Sequence, residues 1–496
     1  MLRFRNTIEG TAALVAFVSG FCFGSPSASW AATTLSGPLP GQPSGLVQLK
    51  SISQYGITWT FQEPAPVGHF VNGDFYVVGP VTIVAIDPRP LIGTEVPQNE
   101  LAEPERKRAK DGKYIRNGSM LSPPARDAVA FDTGIMNYCD PNLLALPPVQ
   151  MKPGDCLVST ISLKVGEKSQ FPFQSEGWRE HGDDSPVKTA AILTCVAGPL
   201  PADTFRPSYG DRQQKLYYAH NLRRNLLPQL ARPRETPNLL TWIRVFQRPW
   251  INPCFFGFEQ PMENMPHYGQ WVGQAQSIGG LLLMLDVNPE QKERLLINMV
   301  QVGIDYWGLV RSGHPGWQGW GGHGSGRKFP IVLAGLLLGD AEMASPTKSF
   351  PGVDFGEDNQ TMYGQGWTGA KALFAGHSGI QSAGKPERPK WGPYEELPPS
   401  KWTKDNFTSE CYRRANTSSV WVGEALTMRL LHAEKEWNHD AFFDYVDRWM
   451  TENDDAAGRE IMKYWPDLAL DERDRWNHQG YTWDPFVKAM WTRYRR

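Results

Sequence analysis

The residues best suited to chemistry lie in a glycine-rich segment in the middle of the chain, residues 313–328. Its sequence is GHPGWQGWGGHGSGRK, and it leads directly into an apolar run with helical character. Glycine lets backbone N–H groups approach a ligand, and a helix start beside Arg327 and Lys328 favours negative charge. The segment therefore predicts a site for a carboxylate or sulfate, such as those of an acidic sugar. The alternative is a glycine-rich connector with solvated basic side chains; a phosphate-binding loop is excluded because the order GxxxxGK[ST] is absent.

A second group, residues 259–271, stands just ahead of a predicted helix and reads EQPMENMPHYGQW. It combines carboxylate, amide, imidazole and phenol side chains. Such groups can polarise a carboxylate, accept a proton and donate one, which is what a proton-abstraction reaction requires. The alternative interpretation is helix capping by Asn264 with packing by Tyr268 and Trp271.

Two further polar and aromatic patches, residues 359–367 and 409–414, lie between apolar stretches and can line the same cleft. Tyr412 is followed by Arg413 and Arg414, and adjacent positive charge favours the phenolate form that accepts a proton. A surface tyrosine with solvated arginines is the alternative.

The histidines show no HExxH or HxH spacing, so neither a metal site nor a cofactor is predicted. His439 and His478 are near predicted helix ends, where a structural role is expected.

Aromatic residues are abundant, and several of the 19 tryptophans stand in glycine-rich or proline-rich stretches where core packing is not the obvious use. An aromatic ring with a polar handle suits an amphipathic ligand such as a sugar. For any single tryptophan, ordinary core packing is the alternative.

The N-terminus predicts export from the cytoplasm. Arg3 and Arg5 precede a mostly apolar run over residues 11–23, and Ser29 and Ala31 offer the small residues that a signal peptidase reads. We therefore expect a signal peptide over residues 1–31 and a secreted or periplasmic protein. The later apolar runs are much shorter than the roughly 20 residues that span a bilayer, so no membrane span is expected.

The net charge and the cysteine spacing argue against several classes of binding partner and metal or redox motif. The formal net charge is −2, which gives no overall field to attract nucleic acid or an anionic membrane. Five cysteines remain after the signal, none in a CxxC pair, so no zinc ribbon or thioredoxin-like motif is predicted. A disulfide between Cys156 and Cys195 is conceivable, because both lie in strand-like runs.

The predicted fold class is mixed and multidomain. After a flexible leader over residues 32–45, an antiparallel β-sandwich-like domain is expected over 46–208, followed by an α-helical, incomplete α/α-toroid domain over 209–496. Within the first domain, residues 100–117 carry no strand pattern and are interpreted as a surface loop. Four runs rich in β-branched and aromatic residues predict the strands: Ile57 to Phe61, Phe75 to Ile86, Cys156 to Leu163 and Lys188 to Val196.

Helical spacing is expected from about Tyr209, through Leu216, His220, Arg223 and Leu227. Caps followed by proline predict helix starts at Asn288-Pro289 and Asp484-Pro485, and an amphipathic helix is expected after His439. Glycine-leucine runs at 279–283, 335–338 and 423–426 form a weak internal sequence repeat. They predict close helix approach in hairpins around a common axis, or simply three core helices.

This order of parts resembles the exported polysaccharide lyases with an α/α-toroid domain, the alginate lyases and heparinase-type lyases. The resemblance concerns mainly residues 210–496, and here the β-rich block precedes the helices, whereas these lyases usually place it after them. It implies an acidic polysaccharide or oligosaccharide as the partner, cleaved by β-elimination.

By residue type, the resemblance implies that Asn264 and Arg327 neutralise a uronate carboxylate, that His267 or His323 is the base, and that Tyr268 or Tyr412 is the acid. The expected sugar contacts are Trp271, Trp317, Trp320, Lys328, Tyr363, Trp367 and Arg413.

Two other functions stay open at the level of sequence. A glycoside hydrolase needs two carboxylates flanking the scissile bond. A non-catalytic glycan-binding or envelope protein needs only aromatic faces and basic loops. The carboxylates available to a hydrolase are Glu259, Glu263, Glu410 and Glu424.

Overall fold

A computed structural model describes most of the chain. The described residues are 45–101, 103–122, 141–163, 187–251, 263–266, 268–377, 393–468 and 479–495. The predicted signal peptide and nearly all of the leader lie outside them, as do His267, Glu259, His478, Cys139 and Cys254.

The N-terminal part folds into one curled eight-stranded sheet in the order β7-β9-β10-β3-β2-β4-β8, with β1 also paired to β2. Its pairs are antiparallel except for β10 with β3, which run parallel. Three two-stranded pairs complete the β structure. The strands are β1 Val47–Gln54, β2 Ile57–His69, β3 Phe75–Val78, β4 Val81–Asp87, β5 Leu91–Ile92, β6 Ile115–Arg116, β7 Ser119–Leu121, β8 Val149–Met151, β9 Cys156–Ser162, β10 Val187–Val196, β11 Gly316–Trp317, β12 Asp354–Phe355, β13 Thr361–Tyr363 and β14 Ala372–Phe374.

Alternation of side chains explains which face of the sheet is buried. In β2, Ile57, Trp59 and Phe61 are fully buried while their neighbours are partly exposed. Side chains two residues apart share one face of a strand, so these three enter the same core, which Leu193 of β10 joins. The four predicted strands are confirmed, with the run from Phe75 divided into β3 and β4.

The segment 100–117 differs from the predicted surface loop. It contains the helix Glu103–Lys110 and the strand β6. Tyr114 and Ala109 are buried there in a small core of their own. The loop prediction was wrong because a short helix with a charged outer face carries only a few apolar residues, which gives little periodic signal.

Helices dominate after Asn238. The α-helices of the described residues are α1 Glu103–Lys110, α2 Leu239–Gln247, α3 Gly269–Leu283, α4 Pro289–Arg311, α5 Lys328–Leu338, α6 Ala341–Ala344, α7 Pro346–Ser349, α8 Gly356–Asn359, α9 Lys404–Tyr412, α10 Ser418–Leu430, α11 Glu434–Trp437, α12 Asp440–Thr451, α13 Asp455–Tyr464 and α14 Pro485–Tyr494. Arg413–Thr417 forms a π-helical segment between α9 and α10. Among the described residues, no helix has both the length and the apolar character required to cross a bilayer.

Helix starts were predicted well where a cap marks them. The Asn288 side chain accepts a hydrogen bond from Gln291 N at the start of α4, and Asp484 accepts one from Phe486 N at the start of α14. The prediction that helical structure begins near Tyr209 was wrong. Residues 209–238, all described, form only short 3-10 turns, because apolar spacing without a cap does not satisfy the first amides of a helix.

The disulfide that the sequence left open between Cys156 and Cys195 is not formed. Cys156 and Cys195 are both free and buried. Cys156 pairs across the sheet with Thr194, so Cys195, one residue further along β10, projects from the opposite face. The Cys156 thiol instead donates to Tyr209 O at 3.0 Å.

The glycine-leucine runs lie where helices approach closely, as predicted. A methyl group on Gly280 would lie 2.5 Å from the Phe329 ring, and one on Gly423 would lie 2.5 Å from Cβ of Ser277. These glycines let α3 pack directly against α5 and α10. Arrangement around a common axis stays a prediction.

One buried ion cluster joins the sheet to the helices. The fully buried Arg206 guanidinium lies 2.5 Å from Asp74, in the turn before β3, and 2.6 Å from Asp305 on α4. Burial raises the pKa of Asp305 to about 6, although the charge of Arg206 opposes this rise. The cluster therefore ties the position of α4 to the edge of β3.

Replacing Arg206 by alanine should leave two carboxylates buried without their cation. We expect the free energy of unfolding in urea to fall by about 3–5 kcal/mol. The control is Arg224→Ala, which breaks a partly exposed pair with Glu293 and should cost less than about 1 kcal/mol. Equal losses in the two variants would show that the cluster does not join sheet and helices as described.

Candidate functional site

The glycine-rich segment, residues 313–328, connects α4 to α5 and passes directly over the start of α3. A methyl group on Gly269 would lie 2.1 Å from Gly322 O, and one on Gly326 would lie 2.6 Å from Gly273 N. Backbone therefore packs on backbone here, which only glycine allows. As predicted, the segment leads straight into a helix.

Two tyrosine–histidine pairs flank this backbone. The rings of Tyr268 and His323 are 4.9 Å apart with an interplanar angle of 83°, and those of His377 and Tyr412 are 4.4 Å apart at the same angle. We call these four residues the tyrosine–histidine site. The edge-to-face geometry holds each imidazole against a phenol ring.

Glycine amides bind both pairs to the segment. Gly322 N donates to the Tyr268 hydroxyl oxygen at 2.9 Å, and Gly321 N donates to His377 O at 2.7 Å. The fully buried Gln360 carboxamide donates to Gly321 O at 2.7 Å, which adds a side-chain restraint. Two consecutive glycines thus set the separation between the pairs.

An amide pair adjoins the first tyrosine. Asn416 Nδ2 lies 3.3 Å from the Tyr268 hydroxyl oxygen and 3.3 Å from Gln270 Oε1, and Gln270 Nε2 donates to Ala415 O. Asn416 is half-buried and belongs to the π-helical segment Arg413–Thr417, whose extra residue per turn turns it toward α3. Such segments occur frequently at functional sites.

Electrostatics keep the first pair uncharged at neutral pH. Burial raises the pKa of Tyr268 well above its ordinary value, with a smaller contribution from Tyr412. Burial lowers the pKa of His323 to about 3, and the nearby His377 and Arg327 lower it further. A neutral imidazole thus faces a protonated phenol, which is a base beside an acid.

The expected ionisation of Tyr412 does not occur. Burial raises the pKa of Tyr412. Arg413 and Arg414 are buried, and both bind the carboxylate of Glu410, at 2.8 Å and 2.5 Å. Their positive charges are therefore ion-paired with Glu410, and the phenol of Tyr412 stays protonated.

Other predicted site residues are engaged within the fold. The Asn264 amide donates to Val245 O and Arg248 O, and it does not cap α3, whose N-cap is Tyr268. Arg327 is fully buried and donates to His323 O and Ser325 O. Lys328 is fully buried, pairs with Asp358 and donates to Trp437 O.

The predicted sugar-stacking rings divide into buried and accessible ones. Trp317 is fully buried and stacks on His314, so it packs the core. Trp271, Trp320 and Trp367 are half-buried, and Tyr363 is 53% exposed with its hydroxyl bonded to Asp444. The accessible rings are therefore the ones able to meet a ligand.

Of the carboxylates named for a hydrolase, the three described ones are each buried and engaged within the fold; Glu259 lies outside the described residues. Glu263 is buried against Arg248 at 3.2 Å, and Glu410 is buried in the arginine cluster. Glu424 is fully buried and faces Glu357, a residue that the sequence pattern did not single out.

Sequence patterns missed His377 and Asn416, whereas Gln270 and Gln360 belong to the predicted polar groups 259–271 and 359–367 but were given no role of their own. A neighbouring glycine is the local signal at His377. Asn416 has no such signal, since its contact reaches Tyr268, 148 positions away.

A cavity elsewhere in the fold has a volume of about 380 Å³ and lies between the starts of α2 and α4. Its lining includes Arg232, Arg234, Asn238 and Asn288. No residue of the tyrosine–histidine site lines it. Within the described ranges, no group of three or more His, Cys, Asp or Glu side chains is arranged to hold a metal ion.

No family model, no curated protein and no solved structure matches this chain.

The Gly321→Ala substitution tests the packing of the second pair. A methyl group there would lie 2.5 Å from the Tyr412 ring, at a position whose φ is +72°. The control is Gly313→Ala, because Gly313 also has a positive φ of +97° but no atom within 4 Å of an added methyl group. Both variants carry a backbone cost of about 1–2 kcal/mol. We expect Gly321→Ala to lose clearly more unfolding free energy and to change the near-ultraviolet circular dichroism; equal losses would contradict this packing.

The His323→Gln substitution tests whether the imidazole is held neutral. The folded pKa is about 3 against an ordinary 6.5, so the unfolded chain binds the proton first. This contribution to stability is complete above pH 6.5 and is lost as pH falls toward 3. Between neutral pH and about pH 5, we expect the variant to lose about 1–2 kcal/mol less unfolding free energy than the parent. The exposed His432→Gln is the control, and an unchanged pH slope in His323→Gln would refute the shift.

Proposed function

We propose that this protein is an exported polysaccharide lyase that cleaves an acidic, uronate-containing glycan by β-elimination. The observation that supports it most is the first pair: a protonated phenol and a neutral imidazole in edge contact, beside two carboxamides. Elimination from a uronate requires a base for the C5 proton, an acid for the leaving oxygen, and donors for the carboxylate.

In this reaction His323 takes the proton from C5, and electrons move to form the C4–C5 double bond as the C4–O4 bond breaks. Tyr268 gives its phenolic proton to O4. The phenolate left behind is stabilised by Gly322 N–H and by the Asn416 amide, which already donate to that oxygen. An anionic sugar beside His323 favours the imidazolium, so substrate binding raises the pKa of this base into a useful range.

Carboxylate neutralisation is assigned to Asn416 and Gln270 rather than to Asn264 and Arg327. Asn416 is half-buried and adjoins Tyr268, whereas Asn264 is fully buried with its amide bound to the backbone oxygens of Val245 and Arg248. The side chain of Arg327 is fully buried at the end of the segment, where it donates a hydrogen bond to the backbone oxygen of His323. Amide donors stabilise the enolate without introducing a fixed charge that would retain the product.

The second pair and the accessible aromatic rings would bind the sugar units on either side of the cleaved bond. His377 and Tyr412 lie on the other side of Gly321, and Trp320 is half-buried within the same segment. Aromatic faces stack on sugar rings, so successive units of a chain would lie along this line. The predicted signal peptide agrees with a polymer met outside the cytoplasm.

The finer architecture belongs to the same proposal. Close packing of α3 on α5 and α10, and of α4 on α5, supports an incomplete α/α toroid. The curled sheet with its apolar face inward supports a sandwich-like N-terminal domain ending near residue 208.

Tyr268→Phe and His323→Gln test the roles of acid and base. Purified protein is incubated with polyuronates and with neutral glycans, and unsaturated ends are followed by ultraviolet absorbance. We expect activity on a polyuronate, reduced about hundredfold or more in either variant, because each removes one proton-transfer group. Tyr464→Phe, at an exposed tyrosine on α13, should retain full activity.

The same panel separates the other two functions. New reducing ends without ultraviolet absorbance would indicate a hydrolase, and retention of a glycan without new ends would indicate a binding protein. Either result overturns the lyase proposal. Melting curves of the variants show whether a loss of activity is merely a loss of fold.

A further inference from the structure

Two glutamates beneath the glycine-rich segment face each other in the core. Glu357 on α8 and Glu424 on α10 are fully buried, and both carboxyl groups lie at the contact between Gly326 and Gly273, where each raises the proton affinity of the other. Neither oxygen of Glu424, nor Oε2 of Glu357, receives a hydrogen bond from any donor of the described residues. Two carboxylates cannot bond to each other unless a proton lies between them.

The backbone of the segment rests on this pair. Gly326 N donates to Glu357 Oε1 at 2.6 Å, and a methyl group on Gly273 of α3 would lie 3.5 Å from Glu424 Oε1. Arg327, the next residue, donates to His323 O. The pair is thus one residue away from the link that holds the proposed base.

The surrounding charges balance only if one carboxyl is neutral. Arg327, at the start of α5, faces both glutamates and Tyr306 of α4. Lys328 and Asp358, which also face Glu357, form an ion pair with each other and cancel. α3 contributes the uncharged Gly273 at this contact. Two ionised glutamates against one arginine would leave a net buried charge, which is costly, whereas one proton removes it.

We propose that Glu357 and Glu424 share a single proton and act together as positioning residues for the glycine-rich segment, with Glu357 as the carboxylate and Glu424 as the acid. Glu357 Oε1 accepts from Gly326 N–H, and its other oxygen accepts from the acid O–H of Glu424. Loss of this proton at high pH places two negative charges in contact and removes the support from Gly326. The candidate site therefore keeps its geometry only while the proton is held.

Burial and the mutual repulsion of the two groups agree with this arrangement. Burial raises the pKa of Glu357 to about 7, and burial together with Glu357 raises that of Glu424 well above the ordinary value of 4.5. A raised carboxyl pKa gives stability that is fully present below pH 4.5 and is lost as pH rises through the folded value. The unfolded chain releases the proton, so unfolding becomes easier with rising pH.

Three variants test the shared proton. Glu424→Gln and Glu357→Gln each replace one carboxyl by an amide that can donate to the other, so each should fold with the charge of Arg327 still balanced. In the parent, the unfolding equilibrium constant should rise with pH more steeply than in either variant, by about tenfold per pH unit between pH 5 and 7. The double variant leaves Arg327 uncompensated and should unfold at a denaturant concentration lowered by more than the sum of the two single shifts.

Two spectroscopic measurements complete the test. The infrared difference spectrum of parent against Glu424→Gln should contain one band of a protonated carboxyl, and the Gly326 amide should lose protection from hydrogen exchange at alkaline pH in the parent but not in Glu424→Gln. If the band is missing from the parent when its spectrum is compared with that of either folded single variant, the proposal is overturned. An equal pH slope in parent and both variants also overturns it.

The inference rests on the proposed function only in its bearing on activity. If a polyuronate is cleaved, the alkaline limb of the rate profile should move to higher pH in Glu424→Gln, which retains Tyr268 and His323. If no glycan is cleaved but the band and the slope are present, the proposed function fails and the shared proton stands.

Discussion

The close packing of backbone on backbone at the glycine-rich segment is the constraint on which the candidate site depends. Between Gly321 and Gly326 the chain touches the start of α3, the rings of two tyrosine–histidine pairs and the carboxylate of Glu357. A side chain at these positions would occupy space already filled. The absence of Cβ atoms therefore brings the catalytic candidates within contact distance of one another.

Charge is distributed around this segment so that the site itself stays neutral. Arg413 and Arg414 are compensated by Glu410 together with Glu395 and Asp454, and Lys328 is compensated by Asp358. Arg327 is held among backbone carbonyls beside the two glutamates. Because these cations are satisfied inside the fold, the histidine and tyrosine retain the neutral forms that proton transfer requires. An anionic ligand would then be the charge that changes their proton affinities.

The buried ion cluster of Arg206 fixes the position of the helix that precedes the candidate site. It joins α4 to the sheet, and the glycine-rich segment begins directly after α4 ends at Arg311. The segment's other end starts α5, which packs on α4 and contacts Gly280 of α3 through the ring of Phe329. Both ends are thus anchored in rigid elements, which suits a site that must hold groups to within a fraction of an ångström.

Local patterns determined a substantial part of this protein. Runs rich in β-branched and aromatic residues predicted β2, β9 and β10, and a capping side chain followed by proline predicted the starts of α4 and α14, because both signals express local backbone and side-chain preferences. The glycine-rich segment and its helix were predicted for the same reason. Where such signals were weak, in residues 100–117 and 209–238, the predictions were wrong.

Tertiary structure alone decided which groups meet and in which charge state. Tyr268 was a candidate from sequence, but its contact with Asn416 joins residues 148 positions apart, and the pairing of His377 with Tyr412 also joins separate segments of the chain. Sequence placed two arginines beside Tyr412, yet their burial against Glu410 removes their influence on the phenol. Proton affinity depends on desolvation and on the nearest charge in space, and neither quantity is encoded by neighbours along the chain.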